Sequence, residues 1–374
     1  MTEDLVRLLD GNTFVVSEDT GDFDASPTIP TGLFSFDTRF LSKWLLSIDG
    51  ERLSALTVDD IEYFETRFFL VPVAPTPLVD PKISAIRERS IGGSFHERLT
   101  VVNHQGEPVD LRIRFEVGSD FADLFEIKDV REKKGDYYTR VENGCLRLGY
   151  KREQFQRETV ISSTEPARID EHGLTYDVRI GPRAEWVTEL HVQTLGLNGR
   201  DIRESLQGRP GRVKKEMRLD LDRWLAERPR LVCDSESLMR TYRRSLVDLA
   251  ALRFTPLTAG GQRLPAAGLP WFMAIFGRDS IFTSLQALPF APHLAATTLR
   301  LLTLVQGVVL DDFREEEPGK IMHELRYGET VGFEEQPHSP YFGSADATPL
   351  YVILIDEYER WTGDDNAVRL LERS

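Results

Sequence analysis

The chain has 374 residues, 41% hydrophobic and 10% aromatic, enough for two domains with substantial cores. Its 61 acidic residues against 46 basic ones leave a net charge of −15, which argues against non-specific nucleic-acid or anionic-membrane binding and suits a neutral or cationic ligand. Cys145 and Cys233 lie far apart and outside any CxxC, so neither a disulfide framework nor a zinc site follows, and no metal or cofactor is expected. The acidic start Met1-Thr2-Glu3-Asp4-Leu5 and the lack of any apolar run of spanning length predict a cytoplasmic protein with no membrane partner.

From about residue 12 to 200 the apolar period is two. Val109, Leu111, Ile113, Phe115 and Val117 alternate with polar residues; Leu174, Tyr176, Val178 and Ile180 repeat the pattern, and Ile83, Ala85 and Ile86 follow it less cleanly. Asp49-Gly50, Gly92-Gly93, Gln105-Gly106, Lys134-Gly135, Asn143-Gly144 and His172-Gly173 punctuate these runs as turns. Many short strands with frequent hairpins predict an antiparallel β-sandwich over residues 1–205, with no helix of credible length. Phe34-Ser35-Phe36-Asp37-Thr38-Arg39-Phe40-Leu41 and Asp120-Phe121-Ala122-Asp123-Leu124-Phe125-Glu126 read as strand ends and packing corners, with a role in a shared cleft as the less favoured alternative.

The period then changes. Val213, Met217, Leu221, Trp224 and Leu225 form one helical face, predicting a linker helix over 206–230 that ends at Glu227-Arg228-Pro229. Residues 231–374 read as helical: a helix after an Asp234 cap, one from about His293 to Leu310, and one from about Asp346 to Trp361 closed by Gly363. Asp364-Asp365 opens a further helix, and a chain stopping there predicts an unfinished second half.

Chemistry concentrates in three segments of that half. In Ala267-Gly268-Leu269-Pro270-Trp271-Phe272-Met273-Ala274-Ile275-Phe276-Gly277-Arg278-Asp279-Ser280, an aromatic loop delivers Arg278 and Asp279 to a helix start, where Asp279 occupies the N-cap position. Rings that stack on sugar faces, with Arg and Asp for hydroxyls, make a kit for gripping a sugar, and Gly277 permits close backbone approach. The alternative is a simple cap and a surface ion pair. In Lys320-Ile321-Met322-His323-Glu324-Leu325-Arg326-Tyr327-Gly328-Glu329, Tyr327 stands where HExxH needs its second His, so a zinc protease is excluded. Glu324 and Arg326 are there as hydroxyl ligands or as a loop ion pair. In Ser339-Pro340-Tyr341-Phe342-Gly343-Ser344-Ala345-Asp346-Ala347-Thr348-Pro349, Asp346 is either an N-cap or a carboxylic acid kept protonated by partial desolvation, able to donate to a glycosidic oxygen. Three such helix-start loops would line one mouth of a helical toroid. Asp311-Asp312-Phe313-Arg314-Glu315-Glu316-Glu317 reads as a solvated loop.

These three segments together resemble the amylo-α-1,6-glucosidase (bacterial glycogen debranching enzyme) family, and the first half resembles the sandwich that precedes its catalytic domain. The resemblance implies a fold of β plus α: sandwich, linker helix, then an α/α toroid, here incomplete. It implies inverting hydrolysis of an α-glucan or oligosaccharide, with Asp346 as general acid. Arg278 and Asp279 would bind the sugar in the cleaved subsite, Trp271, Phe272 and Tyr341 would shape that subsite, and Glu324 and Arg326 would assist. The family's base is a carboxylate far downstream. Its absence before Ser374 predicts weak or no hydrolysis, and a second copy or another chain completing the ring. A sugar phosphorylase of the same architecture, a non-catalytic glucan-binding module and a purely structural protein are the competing expectations.

Overall fold

The computed structural model describes residues 5–25, 30–72, 81–92, 94–196, 214–256, 262–365 and 369. The chain divides into two compact units, Met1–Lys214 and Lys215–Ser374. The expected Gly92-Gly93 turn, the start of the linker helix before residue 214 and the helix after Asp365 fall partly or wholly outside the described residues.

The first unit is antiparallel throughout. One sheet runs in the order Asp136–Glu142, Cys145–Arg152, Phe155–Ser163, Glu185–Leu195, Phe95–Asn103, Ile83–Ile91, Glu65–Val71, Ser54–Glu62. A second runs Arg168–Asp170, Gly173–Ile180, Val109–Gly118, Lys43–Ile48, Phe23–Asp24, and a four-stranded sheet holds Val6–Asp10, Thr13–Ser17, Gly32–Ser35 and Thr38–Leu41. Alternation places Leu111, Ile113, Phe115 and Val117 inward, and Trp44 packs edge-on against Phe95 at 5.3 Å and tilted against Phe115 at 5.2 Å. Asn143 and Gly144 both take positive φ (52° and 74°), the two-residue hairpin their sequence predicts.

Two details depart from expectation. Ile86 points away from the core, and the inward positions of its strand are Ile83, Ala85, Arg87, Arg89 and Ile91. A short helix, α1 (Leu124–Asp129), forms before residue 200, capped by Asp123 and Glu126 in a reciprocal capping box. The two aromatic-charged segments meet in one corner: Arg39 Nε donates to Asp120 at 3.1 Å, Arg39 N to Ala122 O at 2.9 Å, and Leu124 N to Asp37 O at 3.1 Å.

The second unit is helical. Helix α2 (Lys214–Ala226) buries Met217, Leu221 and Trp224, the predicted face, and Trp224 Nε1 donates to Leu246 O at 2.9 Å. Helix α3 (Glu236–Ala251) is capped by Ser235 rather than Asp234. Helix α4 (Gly277–Ala287) packs against α5 (Pro292–Leu304) and α7 (Ala347–Thr362), and the latter two pack on each other; α6 (Glu329–Gly332) is a single turn. Leu294, Leu299, Leu302, Ile281 and Leu354 fill the space between them, and Ser284 and Thr298 share a buried hydrogen bond of 3.0 Å. Helix α5 ends at Leu304, short of the predicted Leu310, and the carboxylate of Glu316 accepts from the N–H groups of Val308 and Val309 at 2.8 and 3.2 Å in place of helical carbonyls. Gly363 closes α7 in the left-handed region at φ 67°. Among the described residues no helix is long and apolar enough to cross a membrane.

Candidate functional site

Backbone pairing assembles the three chemical segments. Ile275-Phe276 pairs with Glu324-Leu325, and Glu324 in turn bridges Tyr341, with Tyr341 N donating to Glu324 O at 2.9 Å. Gly277 N donates to His323 O at 2.8 Å. A Cβ at Gly277 would lie 2.1 Å from Met322 O, so the close backbone approach expected there is real and restricts the position to glycine. The second segment is therefore a strand in a small ladder that leads into the single turn α6 at Glu329.

Along this ladder the rings form a continuous row. Phe272 meets Phe276 at 5.7 Å, Phe276 meets His323 at 5.8 Å, His323 meets Tyr341 at 6.1 Å, and Tyr341 meets His338 at 5.1 Å. Phe272 is 48% exposed, a large apolar surface offered to solvent. Trp271 is half-buried, in a loop tied by Phe272 N to Gly268 O at 2.9 Å. The Tyr341 hydroxyl donates to Glu315 Oε1 at 2.8 Å, and that carboxylate pushes the phenol's pKa up.

Glu324 and Arg326 form a buried pair. Arg326 Nε reaches Glu324 Oε2 at 3.1 Å, His338 Nε2 lies 2.9 Å from Glu324 Oε1, and Arg326 Nη2 donates to Trp271 O at 2.8 Å. Arg326 also lies 4.9 Å above the Phe276 ring. Burial raises the Glu324 pKa, but the His338 hydrogen bond and the Arg326 charge outweigh it and hold the carboxyl below the usual range. Of the two sequence readings, the ion pair is the one observed. Both side chains are under a tenth exposed, so they support the Trp271 loop from beneath.

Asp346 sits at the N-cap position of α7 without capping it. Its Oδ1 accepts from Ser344 Oγ at 2.6 Å, and its Oδ2 faces Arg278 Nη1 at 3.4 Å. Arg278 and Asp346 are 45% and 44% exposed. The Ser344 hydrogen bond, only weakly opposed by burial and joined by Arg278, holds the Asp346 carboxyl below its ordinary value. The partial desolvation expected from the sequence is not seen here: the Asp346 side chain is 44% exposed.

Asp279 departs from expectation too. The N-cap of α4 is Phe276, with no side-chain cap, and Asp279 lies in the first turn. It lines a cavity of about 270 Å³ with Leu249, Leu252, Phe282, Thr283 and Gln286. Sequence adjacency joined Arg278 and Asp279, but successive helix positions diverge by about 100° and the structure sends them to different neighbours. His323 and His338, which join the ring row and the Glu324 cluster, were missed as individual residues; His338 carried no local signal, since it reaches Glu324 only through the fold. A larger cavity of about 640 Å³ in the first unit is lined by Asp110, Arg112, Asp177 and Arg179, whose charges pair with one another across it.

No curated protein matches the sequence. Among solved structures, a candidate kojibiose phosphorylase from the human microbiome aligns with a TM-score of 0.55 at 10% identity, over 97% of this chain and 55% of its own. The chain thus spans about half the length of that structure, and the likeness is one of fold. A candidate aldose 1-epimerase from Escherichia coli K12 aligns over 52% of this chain and 99% of its own at 7% identity, with a TM-score of 0.30, too loose to define a shared fold. The family model for the N-terminal domain of some glycogen debranching enzymes matches residues 8–191, nearly all of the sandwich unit. Residues 8–191 thus belong to the family of N-terminal domains found in some glycogen debranching enzymes.

Proposed function

We propose that the helical unit carries the glucose-binding subsite of a glucan-active enzyme of the debranching type, acting by inverting hydrolysis. The observation that carries this reading is the Arg278–Asp346 pair, open to solvent beside the aromatic row. The exposed Phe272 ring and the half-buried Trp271 and Tyr341 take the faces of a pyranose, and an unburied guanidinium and carboxylate take its hydroxyls. The helices are read as part of an α/α toroid in which α4 and α7 supply inner-wall loops.

Asp346 is the general acid in this scheme. A sugar seated on the site removes water from its carboxyl and engages the Arg278 donors, and both changes raise its pKa towards protonation. The proton then passes from Asp346 to the glycosidic oxygen as the bond to the anomeric carbon breaks. In an inverting enzyme a second carboxylate activates water on the opposite face. Trp271, Phe272 and Tyr341 shape the pocket, and Glu324 with Arg326 fixes the Trp271 loop. Asp279, in its own cavity, is assigned a more distant sugar contact.

Glucose release from a limit dextrin or isomaltosaccharide tests the reading. Asp346→Asn is expected to lower it roughly 100- to 10,000-fold, while Arg278→Ala weakens maltooligosaccharide binding. Binding with no turnover in the parent chain would favour a glucan-binding module; no binding at all would sink both sugar readings. Phosphorolysis is the second reading, motivated by the fold shared with the candidate kojibiose phosphorylase. Glucose 1-phosphate formed only in the presence of phosphate would establish it.

A further inference from the structure

The sandwich unit carries a second cluster of chemistry-bearing side chains, unrelated to the ring row. His96, on strand Phe95–Asn103, stands directly opposite His191 on strand Glu185–Leu195. Glu189 lies two residues before His191, so period two places it on the same face. The imidazole rings are 4.5 Å apart at 43°, and His96 Nε2 is 3.4 Å from Glu189 Oε2. One ligating atom from each of the three residues lies within 4.8 Å of the other two.

We propose that His96, Glu189 and His191 form a binding site for a divalent transition-metal ion of the zinc class, with water completing the coordination shell. Bonds of about 2.0–2.1 Å in a tetrahedron put neighbouring ligand atoms about 3.3–3.5 Å apart. The His96–Glu189 separation already has this value, and the His191 ligand atom lies within 4.8 Å of both others. Two nitrogens and one carboxylate oxygen suit zinc, cobalt(II) or nickel(II) rather than calcium or magnesium. The cation nearest Glu189 holds it weakly: Arg98 Nη1 stands at 3.5 Å and shares itself with Glu88 at 3.7 Å. His96 and Glu189 remain 30% and 35% exposed, so an ion has a path in. Bound there, the ion would clip two neighbouring strands that are joined through a long stretch of chain.

The test is titration of the EDTA-treated full chain with Co²⁺, followed by its visible absorption and by displacement with Zn²⁺. One equivalent with tetrahedral-type bands is expected, and a rise in thermal midpoint with added Zn²⁺. Groups that only hydrogen-bond a metal ligand are worth roughly 10- to 100-fold in affinity, so removing a ligand itself by His96→Gln or His191→Gln should weaken binding by at least about 10-fold. No saturable uptake, or uptake unchanged in both variants, overturns the proposal. Should either variant unfold, Co²⁺ broadening of imidazole proton signals in the unaltered chain decides: two broadened imidazoles are expected, and none refutes the site.

Discussion

Two arginine–carboxylate groups in this molecule use the same chemistry in opposite surroundings. In the sandwich, Arg87 binds Asp22 at 2.6 Å and Glu97 at 2.8 Å, and Arg89 binds the other oxygen of Glu97 at 2.6 Å, with both arginines and Glu97 fully buried. Arg89 lies about 5 Å over both Phe68 and Phe95. Burial pulls the Arg89 pKa down to about 10, partly offset by Glu97, which leaves it charged at neutral pH; the two arginines, against the cost of burial, hold Glu97 below the usual carboxylate range. In the helical unit, Arg278 and Asp346 are nearly half exposed and meet at 3.4 Å. The first group is closed off from any ligand by burial, although Arg87 Nη2 and Arg89 Nη1 have no hydrogen-bond partner among the described residues. The second is loosely paired and can exchange its partner for a sugar. Burial, more than residue type, separates structure from site.

The sharpest way to break this comparison is Arg87→Met. It takes one cation from Asp22, which keeps Arg52 at 2.8 Å, and one from Glu97, which keeps Arg89, and losing one partner of a buried charge network costs about 3–5 kcal/mol. Urea unfolding should show that loss as a lower midpoint at unchanged slope. A loss below about 1 kcal/mol would mean that the buried network matters no more than a surface pair. Asp346→Asn should behave in the opposite way. Stability should move by less than about 0.5 kcal/mol, with the loss confined to sugar turnover. An equal loss of fold would return Asp346 to a structural role.

Glu324→Gln tests the intermediate case. The carboxylate serves both Arg326 and His338 beneath the Trp271 loop, so the amide should cost about 1–3 kcal/mol and also weaken maltooligosaccharide binding through the loop. The sign with pH is fixed. A carboxyl held below its ordinary pKa stabilises the fold above the ordinary range and loses that contribution as pH falls. The gap between parent and variant should therefore close in acid. A gap that persists there would assign the effect to packing rather than charge.

Much of the architecture was legible because alternation and helical spacing are local. The Val109–Val117 strand, the Asn143-Gly144 hairpin and the Met217–Trp224 helical face all follow from neighbours in sequence. The imperfect strand at Ile83 was the informative exception: its inward positions carry Arg87 and Arg89, whose partner Glu97 lies on the next strand and becomes visible only through register. The same applies to His96 and His191, nearly a hundred residues apart yet cross-strand partners. At the candidate site, sequence found the residue types and the glycine at 277 but misjudged their environment. Whether Asp279 caps, or Asp346 is desolvated, depends on where the helix starts and what covers it. Neither property is local.

The smallest expected effect belongs to a pair of the open kind with no ligand to serve. Arg114 grips Asp170 with both terminal nitrogens, at 2.8 and 3.0 Å, and this bond, together with one from His172 N at 2.9 Å, lowers the Asp170 pKa to about 2 against the small opposing effect of burial. A shift of that size would correspond to roughly 2–3 kcal/mol if the charge were shielded from water. Asp170 is 46% exposed, so solvent screening reduces the net contribution to below about 1 kcal/mol. Its stabilisation is present above the unfolded carboxyl pKa near 4 and lost as pH falls towards about 2. Asp170→Asn should therefore lower the urea midpoint slightly at pH 7, less so in 1 M salt, and by a vanishing amount as pH falls below about 2. A difference that survives both acid and salt would show that this exposed pair shares the character of the buried Arg87 network, and exposure would then fail as the criterion that marks Arg278 and Asp346 as a site.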